Sequence, residues 1–560
     1  MLRPCAGAVG SPALELSEGV PVRSRTFLVV SAAVAVAMLA ALPPSIATTG
    51  RTARSNRRQD QSLGEFFAQH GYLPLSSVAN YYTAQDRAAA AAAALAGRGG
   101  SQSASAAPSA LAPVIGTSWQ GIADSGVTPP DTNGAIGPTS YVEIVNDKVG
   151  IYDRTGAAIS TGNLSTLTGD SGNLSDPMAL WDPNTQRFYF SLFRWTGSFQ
   201  TPRIDWGFSK STSPTDLSSN SWCHYQTNFG WVNGNIPDYP KLGQTKDFLL
   251  IGVNFYASQN SQQSEKSQLL WIKKPQGNGQ ITTCPAVPGS GFFDNLQNTD
   301  GTQAFTPMPA IQTDPNSTGT VTTMSDIECP PNCGTGNLLT VFTVTKMGNG
   351  NPKLSAPNSI NVGNYTNPSP APQKGTANTL DTLDGRLTHS VSGFDPRIHH
   401  RAIWVAHTIF AGAGAGIQWF EVDGVTGTIA QTGIVSNPST FIFNAGISTD
   451  RTCDGTSCAH GKAMVLGFTE SSSTIFPTVA MVSKFGVGGV SGIVVVHAST
   501  TFDRNFSCSP CRWGDYGGAT PDPAVPLSAA RGQVWLSNQA TTGGSLFASS
   551  DVVWNWQATP

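Results

Sequence analysis

The feature of this 560-residue chain that most constrains its fold is a unit that returns, an acidic or glycine-proline turn followed by a short apolar strand. Asp131-Thr-Asn-Gly134 precedes Tyr141-Val-Glu-Ile-Val145, and Ser175-Asp-Pro177 precedes Met178-Ala-Leu-Trp181. Pro237-Asp-Tyr-Pro240 precedes Phe248-Leu-Leu-Ile-Gly-Val253 in the same way. The fullest version is Cys508-Ser-Pro-Cys511-Arg512-Trp513-Gly514-Asp515-Tyr516, which runs on through Gly-Gly-Ala-Thr to Pro521-Asp-Pro523. Repetition of one supersecondary unit marks a radial or solenoid array, whose units bury their faces against their neighbours.

From Val114 onward the pattern is strand and turn, with almost no helix. Residues 141–152 read as strand, polar bend and strand; 178–193 and 417–431 each read as a hairpin. Further strands are expected at 402–407, 463–468 and 532–537. The 59 glycines and 38 prolines supply the turns between them. Apolar runs of this length between such breakers suit strands buried on both faces. Sheets stacked around an axis bury both faces and shield their edges. The expected fold is therefore an all-β propeller over residues 114–560. At roughly 60 residues per blade it has about seven blades, or six with insertions. A pair of long β-sandwiches is the alternative, disfavoured because the spacing does not break midway.

The segment ahead of this domain reads as an address. Arg23-Ser-Arg25 precedes sixteen mostly apolar residues, 27–42, and Ser45-Ile46-Ala47 offers small residues for cleavage. This predicts a secretory signal region over 1–47, short for a spanning helix. Residues 48–113 are expected to form an Ala/Ser-rich stalk or pro-segment, with short helices at 62–70 and 77–96. The expectation is a secreted, extracellular monomer with no stable membrane span after cleavage. The first 113 residues hold nine arginines, no lysine and five acids, leaving 23 basic against 30 acidic groups. No basic stripe with interleaved aromatics occurs there, which argues against a nucleic-acid partner. Eight cysteines follow the signal region, an even count that favours disulfides in an exported chain. Cys329 and Cys333, Cys453 and Cys458, and Cys508 and Cys511 are close pairs, leaving Cys223 and Cys284 for each other. Zinc at Cys508, Cys511 and His460 is the sharper alternative, and a redox role lacks the βαβ surroundings it needs.

Several motifs occur together in order: Pro129-Pro-Asp-Thr-Asn-Gly134, Ser175-Asp-Pro177, Pro237-Asp-Tyr-Pro-Lys241, Leu383-Asp-Gly-Arg-Leu-Thr-His-Ser390 and Arg512-Trp-Gly-Asp-Tyr516. The set resembles a family of secreted bacterial proteins with a sialidase-like or kelch-like β-propeller, and it covers residues 115–539. What the resemblance implies is fold and secretion; the family has no generally assigned reaction.

In a propeller the loops entering the innermost strands converge on one central pocket. Asp131, Asp176, Asp238 and Asp515 sit just before or at strand starts, and Arg386 and Arg512 are the bases of equivalent motifs. These six residues are expected to form a polar face for an extracellular glycan or protein ligand. The bland counterpart is that each Asp caps its own turn and Arg512 pairs with Asp515. Asp176 and Asp515 are the candidate pair for the alternative function, a glycoside hydrolase or polysaccharide lyase, whose hydrolytic form needs two carboxyl groups. The Ser-x-Asp-x-Gly-x-Thr-Trp box of sialidases is absent. His389, His399, His400 and His407 read as structural or exposed rather than as ligands. No metal site or cofactor is expected beyond structural calcium at Asp450 and Asp454, a stretch without regular calcium-loop spacing. Trp119, Trp195 and Trp231 are expected in loops, where they could stack on sugars; Trp181, Trp404, Trp419 and Trp535 belong to the core.

Overall fold

The computed structural model describes residues 112–560, apart from 125–128, 259–260, 262, 276, 328–334, 452–456, 504–509 and 544–549. The expected signal region, all but the last two residues of the stalk, Cys329, Cys333, Cys453, Asp454 and Cys508 lie outside the described residues. The strands fall into seven sheets. Numbered along the chain, these are blade 1 (133–163), blade 2 (173–227), blade 3 (236–293), blade 4 (304–366), blade 5 (387–435), blade 6 (441–498) and blade 7 (518–559). Each is an antiparallel meander of four or five strands. The one parallel pairing within the sheets is Ile311–Gln312, which adds to the innermost strand of blade 5. A five-residue helix, Leu164–Thr168, is the only helix among the described residues, and none there is long and apolar enough to cross a membrane.

Both faces of the middle strands are buried, which is why they read as near-continuous apolar runs. In Arg187–Thr196, Phe188, Phe190 and Leu192 pack with Val142, Ile144 and Ile151 of blade 1. Tyr189, on the opposite face, packs with Leu249 and Ile251 of blade 3. Outermost strands alternate instead, as Ala158–Asn163 and Ile429–Val435 do, because one face meets water. Trp181, Trp404, Trp419 and Trp535 are buried as expected. Trp195 is buried too, stacked with Phe193 and Phe199, and Trp119 packs on Tyr141, Tyr152 and Trp535. Neither of these two rings is a loop platform. Cys223, in the outermost strand of blade 2, is disulfide-bonded to Cys284 across 61 residues, as the cysteine arithmetic requires. Cys458 is also disulfide-bonded.

The ring is closed by the earliest strand, Val114–Asp124, which pairs antiparallel with Ser550–Thr559 as the outer edge of blade 7. Glu143 of blade 1 locks this closure. Its carboxylate accepts the backbone N–H of Ile122 at 2.8 Å and Asn555 Nδ2 at 2.6 Å, one from each closing strand. Gly121 lies directly beneath, where a Cβ would sit 1.9 Å from Glu143 Oε2 and 2.4 Å from Asn555 Nδ2. Gly121→Ala must therefore push the clasp apart, and we expect a loss of about 1–3 kcal/mol in urea unfolding.

Burial is the largest influence on Glu143, pushing its carboxyl to about 7. The folded chain thus holds a proton that the unfolded chain releases above about 4.5. The resulting stabilisation is full below that pH and is lost as pH rises through about 7. Glu143→Gln, whose amide can meet a turned-over Asn555, should flatten this fall in unfolding free energy between those two pH values.

Candidate functional site

The seven innermost strands meet at the axis with a shared irregularity. A β-bulge interrupts five of them, between Ser175 and Met178, Asp238 and Lys241, Phe305 and Met308, Leu387 and His389, and Phe443 and Gly446. Four of these bulges hold a non-glycine residue at positive φ: Asp176 (53°), Tyr239 (58°), Thr306 (51°) and Asn444 (60°). Such backbone costs on the order of 1–3 kcal/mol per residue and persists only where the surroundings over-determine it. Proline follows in three cases, Pro177, Pro240 and Pro307, where its missing N–H costs no ladder bond. Polar neighbours hold the bulges. Asn146 of blade 1 accepts the Asp176 N–H at 2.8 Å, and Asn254 of blade 3 accepts the Thr306 N–H at 2.9 Å.

All six residues expected at the central face are carried by these inner strands or by the turns leading into them. Asp131, Asp176, Asp238, Asp515 and Arg386 are almost fully buried, while the Arg512 side chain keeps 14% exposure. Arg512 pairs with Asp515 and lies 3.9 Å from Asp381. Its position follows from its neighbours. Trp513 is buried and donates to Thr469 Oγ1 at 3.0 Å, and buried Cys511 bridges to Leu380. Asp131 accepts the Asp515 N–H at 3.0 Å and Asn146 Nδ2 at 2.9 Å. Arg386 makes a bidentate pair with Asp384, both bonds 2.7 Å, and reaches Asp238 at 3.7 Å.

Asp238 and Asp176 are not equivalent. The bulge position that Asp176 fills in blade 2 is filled by Tyr239 in blade 3. The proline after each is the register mark that aligns Asp176-Pro177 with Tyr239-Pro240. Tyr239 crosses the axis, its single hydroxyl proton shared between Asp515 O at 3.1 Å and Leu387 O at 3.3 Å. Tyr516 meets it edge-on at 5.7 Å.

Lys241, which the sequence reading did not single out, sits between these rings. Its Nζ is 3.6 Å from the Tyr239 ring centre and 2.9 Å from that of Tyr516, and it makes no hydrogen bond among the described residues. Burial pushes the ammonium well below its usual range, while Asp131, Asp176 and Asp515 pull it back. Asp131 is raised well above a normal carboxylate by burial, then by Asp515 and Asp176. Asp176 is raised to about 6 by burial and Asp515, with Lys241 opposing, and neither of its oxygens makes a hydrogen bond of normal geometry. His389 is fully buried, with Nδ1 against Ile447 O at 2.9 Å and Nε2 without a partner. Burial holds it neutral, at about 4. His407 is likewise buried and held between Gly385 O and Gln418, while His399 lies in a turn before the strand that His400 begins. Asp450 turns its carboxylate to the backbone N–H groups of Ala463 and Gly532. No cluster of three or more potential metal ligands occurs among the described residues.

No family model matches the chain, and no curated protein does. Among solved structures it is similar to a Synechocystis apocarotenoid oxygenase variant, at 9% identity over 66% of this chain and 74% of that one, with a TM-score of 0.34. It is similar to the Dos1 propeller at 10% identity over 79% and 94%, TM-score 0.33. It is similar to a GH43 β-1,3-galactosidase, solved with galactodeoxynojirimycin, at 10% identity over 56% and 96%, TM-score 0.29. No residue role is carried over from them.

If Lys241 carries charge, removing it leaves carboxylates buried without compensation. We expect Lys241→Met to cost about 3 kcal/mol at pH 7. The loss should shrink at pH 5, below the value of about 6 where Asp176 takes up its proton. Urea unfolding at the two pH values measures both; an unchanged or raised stability at pH 7 would mean that the amine is neutral.

Proposed function

We propose that this propeller is a secreted binding module that engages an extracellular or cell-wall ligand through its central polar face. The observation that carries the reading is the set of unmet polar groups at the axis. The Asp176 carboxylate, Lys241 Nζ and His389 Nε2 make no hydrogen bond of normal geometry among the described residues, and Lys241 acts electrostatically on both of the others. Buried polar groups are normally satisfied, so three together call for an explanation. A hydroxyl-rich ligand, which donates and accepts at each hydroxyl, suits an acceptor carboxylate, a donor ammonium and an acceptor imidazole nitrogen. Arg512 is the member of the expected set nearest to solvent, and with Asp515 it would form the threshold of the site. The Cys223–Cys284 disulfide and the signal-like segment ahead of the domain support an extracellular setting.

The alternative reading, a hydrolase, has one observation in its favour. Asp176 is raised to about 6 while Asp515 is paired with Arg512, so two nearby carboxyls have different surroundings. A polysaccharide array probed with the full exported chain, read for bound and for released sugar, separates the two. The expected result is saturable binding without product, weakened about tenfold or more by Arg512→Ala and largely retained by Asp515→Asn. Product release abolished by Asp515→Asn would establish the hydrolase instead, and failure to bind any glycan would remove the central-face reading for sugars.

A further inference from the structure

A groove of about 450 Å³ opens on the rim of blade 2, lined by Thr201, Arg203, Gln226, Asn228, Trp231 and Asn233. It lies on the third and fourth strands of the blade, Gln200–Ser209 and Trp222–Thr227, and on the loop that leaves for blade 3. With neighbouring strands ~4.8 Å apart, the fourth strand is about 14 Å from the innermost one. Strand register sets its height. Gln226 pairs with Asp205, Asp205 with Leu192, and Leu192 is next to Phe193, the partner of Ser175. The groove is therefore level with the Asp176 bulge.

The lining is built rather than incidental. Asp170 and Arg194 form a two-bond ion pair, 2.9 and 3.2 Å, and Arg194 also donates to Thr201 Oγ1 at 2.8 Å. Thr201, a β-branched residue, is held at a φ of 48° with its N–H on Asn233 Oδ1 at 2.9 Å. Asn228 spans the loop, donating to Pro202 O at 2.9 Å and Trp231 O at 3.0 Å. Trp231 is fixed by its Nε1 bond to Gln268 at 3.0 Å.

The charge of this groove is unbalanced. Arg203 makes one hydrogen bond, to Gln226 Oε1 at 2.7 Å, and no ion pair among the described residues. The two acids beneath do not neutralise it. Asp170 is taken by Arg194 and by the Gln226 amide, and Asp205 is raised to about 7 by burial and by the Asp170 charge, with Arg194 and Arg203 opposing. Asp205 is 1% exposed, and neither of its oxygens makes a hydrogen bond of normal geometry. The lining thus offers one guanidinium without an ion pair, the Asn233 amide N–H groups, carbonyl and hydroxyl oxygens with acceptor capacity to spare, and the edge of an indole.

We propose that this groove is a second ligand site, independent of the axial one, that takes a carboxylate-bearing sugar unit of the uronate class. The planar fork of Arg203 matches a carboxylate bidentately. Asn233 Nδ2 donates to the ring hydroxyls, the oxygens of Gln226, Asn228 and Thr201 accept from them, and Trp231 offers an apolar edge to the sugar face.

The test is calorimetric titration of the full chain with oligomers of galacturonate, glucuronate and mannuronate, beside a neutral galactose oligomer and its sulfated form. The expected result is saturable binding of at least one uronate, weaker or absent binding of the neutral oligomer, and a fall in affinity as salt rises. Arg203→Ala should weaken uronate binding about tenfold or more, and Arg203→Lys by less, with thermal unfolding unchanged in both. Any of four results would overturn the assignment: no uronate binding, equal binding of the neutral oligomer, tighter binding of the sulfated one, or an affinity that Arg203→Ala leaves intact. Uronate binding that Arg512→Ala abolishes and Arg203→Ala spares would belong to the axis and would also overturn it.

Discussion

Everything in this molecule follows from crowding at the axis. Seven strands converge there so closely that backbone meets backbone. A Cβ on Gly446 would lie 2.8 Å from the Gly518 carbonyl, and one on Gly518 would lie 2.8 Å from the Gly134 amide. Side chains of ordinary size cannot all point inward from regular strands in that space. The bulges answer the problem by turning one residue per strand into a geometry that strands otherwise avoid. Proline at three of them removes a donor that could not have been paired.

The same crowding accounts for the chemistry. Acids at the strand starts of different blades are brought within reach of one another, and their repulsion is met by Lys241, Arg386 and Arg512. Much of this charge is tied up internally: Arg386 with Asp384, Arg512 with Asp515, Asp131 with backbone and Asn146. The Arg512–Asp515 pairing of the bland reading is therefore realised. Asp131 and Asp515 brace the strand starts, whereas Asp176, Lys241 and His389 are left with bonding capacity that the fold does not use.

The propeller was legible in the sequence because double-sided burial writes itself as unbroken apolar runs between turn residues, and seven such groups fill the length. The axial cluster was legible because its acids precede strands. Its register was not. Asp-x-Pro and Asp-Pro look alike as acidic turns, yet the proline aligns Tyr239, not Asp238, with Asp176. Lys241 was missed because a lysine two residues past a bulge looks like a surface residue until the rings of Tyr239 and Tyr516 are seen on either side of it. At the rim, Thr201-x-Arg203-x-Asp205 in one strand and His224-x-Gln226 in the next, continued by Asn228 just past its end, do carry a period-two polar signal. Only the register that sets Asp205 against Gln226 turns the two signals into one place.

Ring closure has a consequence in time. Blades 1 to 6 are each built from one stretch of chain, apart from the short Ile311–Gln312 strand that blade 5 borrows, so each can condense as soon as that stretch is available. Blade 7 cannot, because its outer strand ends at Asp124 and its other three begin at Gly518. A chain leaving the ribosome from its N-terminal side makes the clasp first and the catch last. For the whole interval Val114–Asp124 is an unpartnered strand, with a row of amides and carbonyls open to any other edge. What guards the strand during that wait is as much a part of making this protein as the ring that finally takes it in.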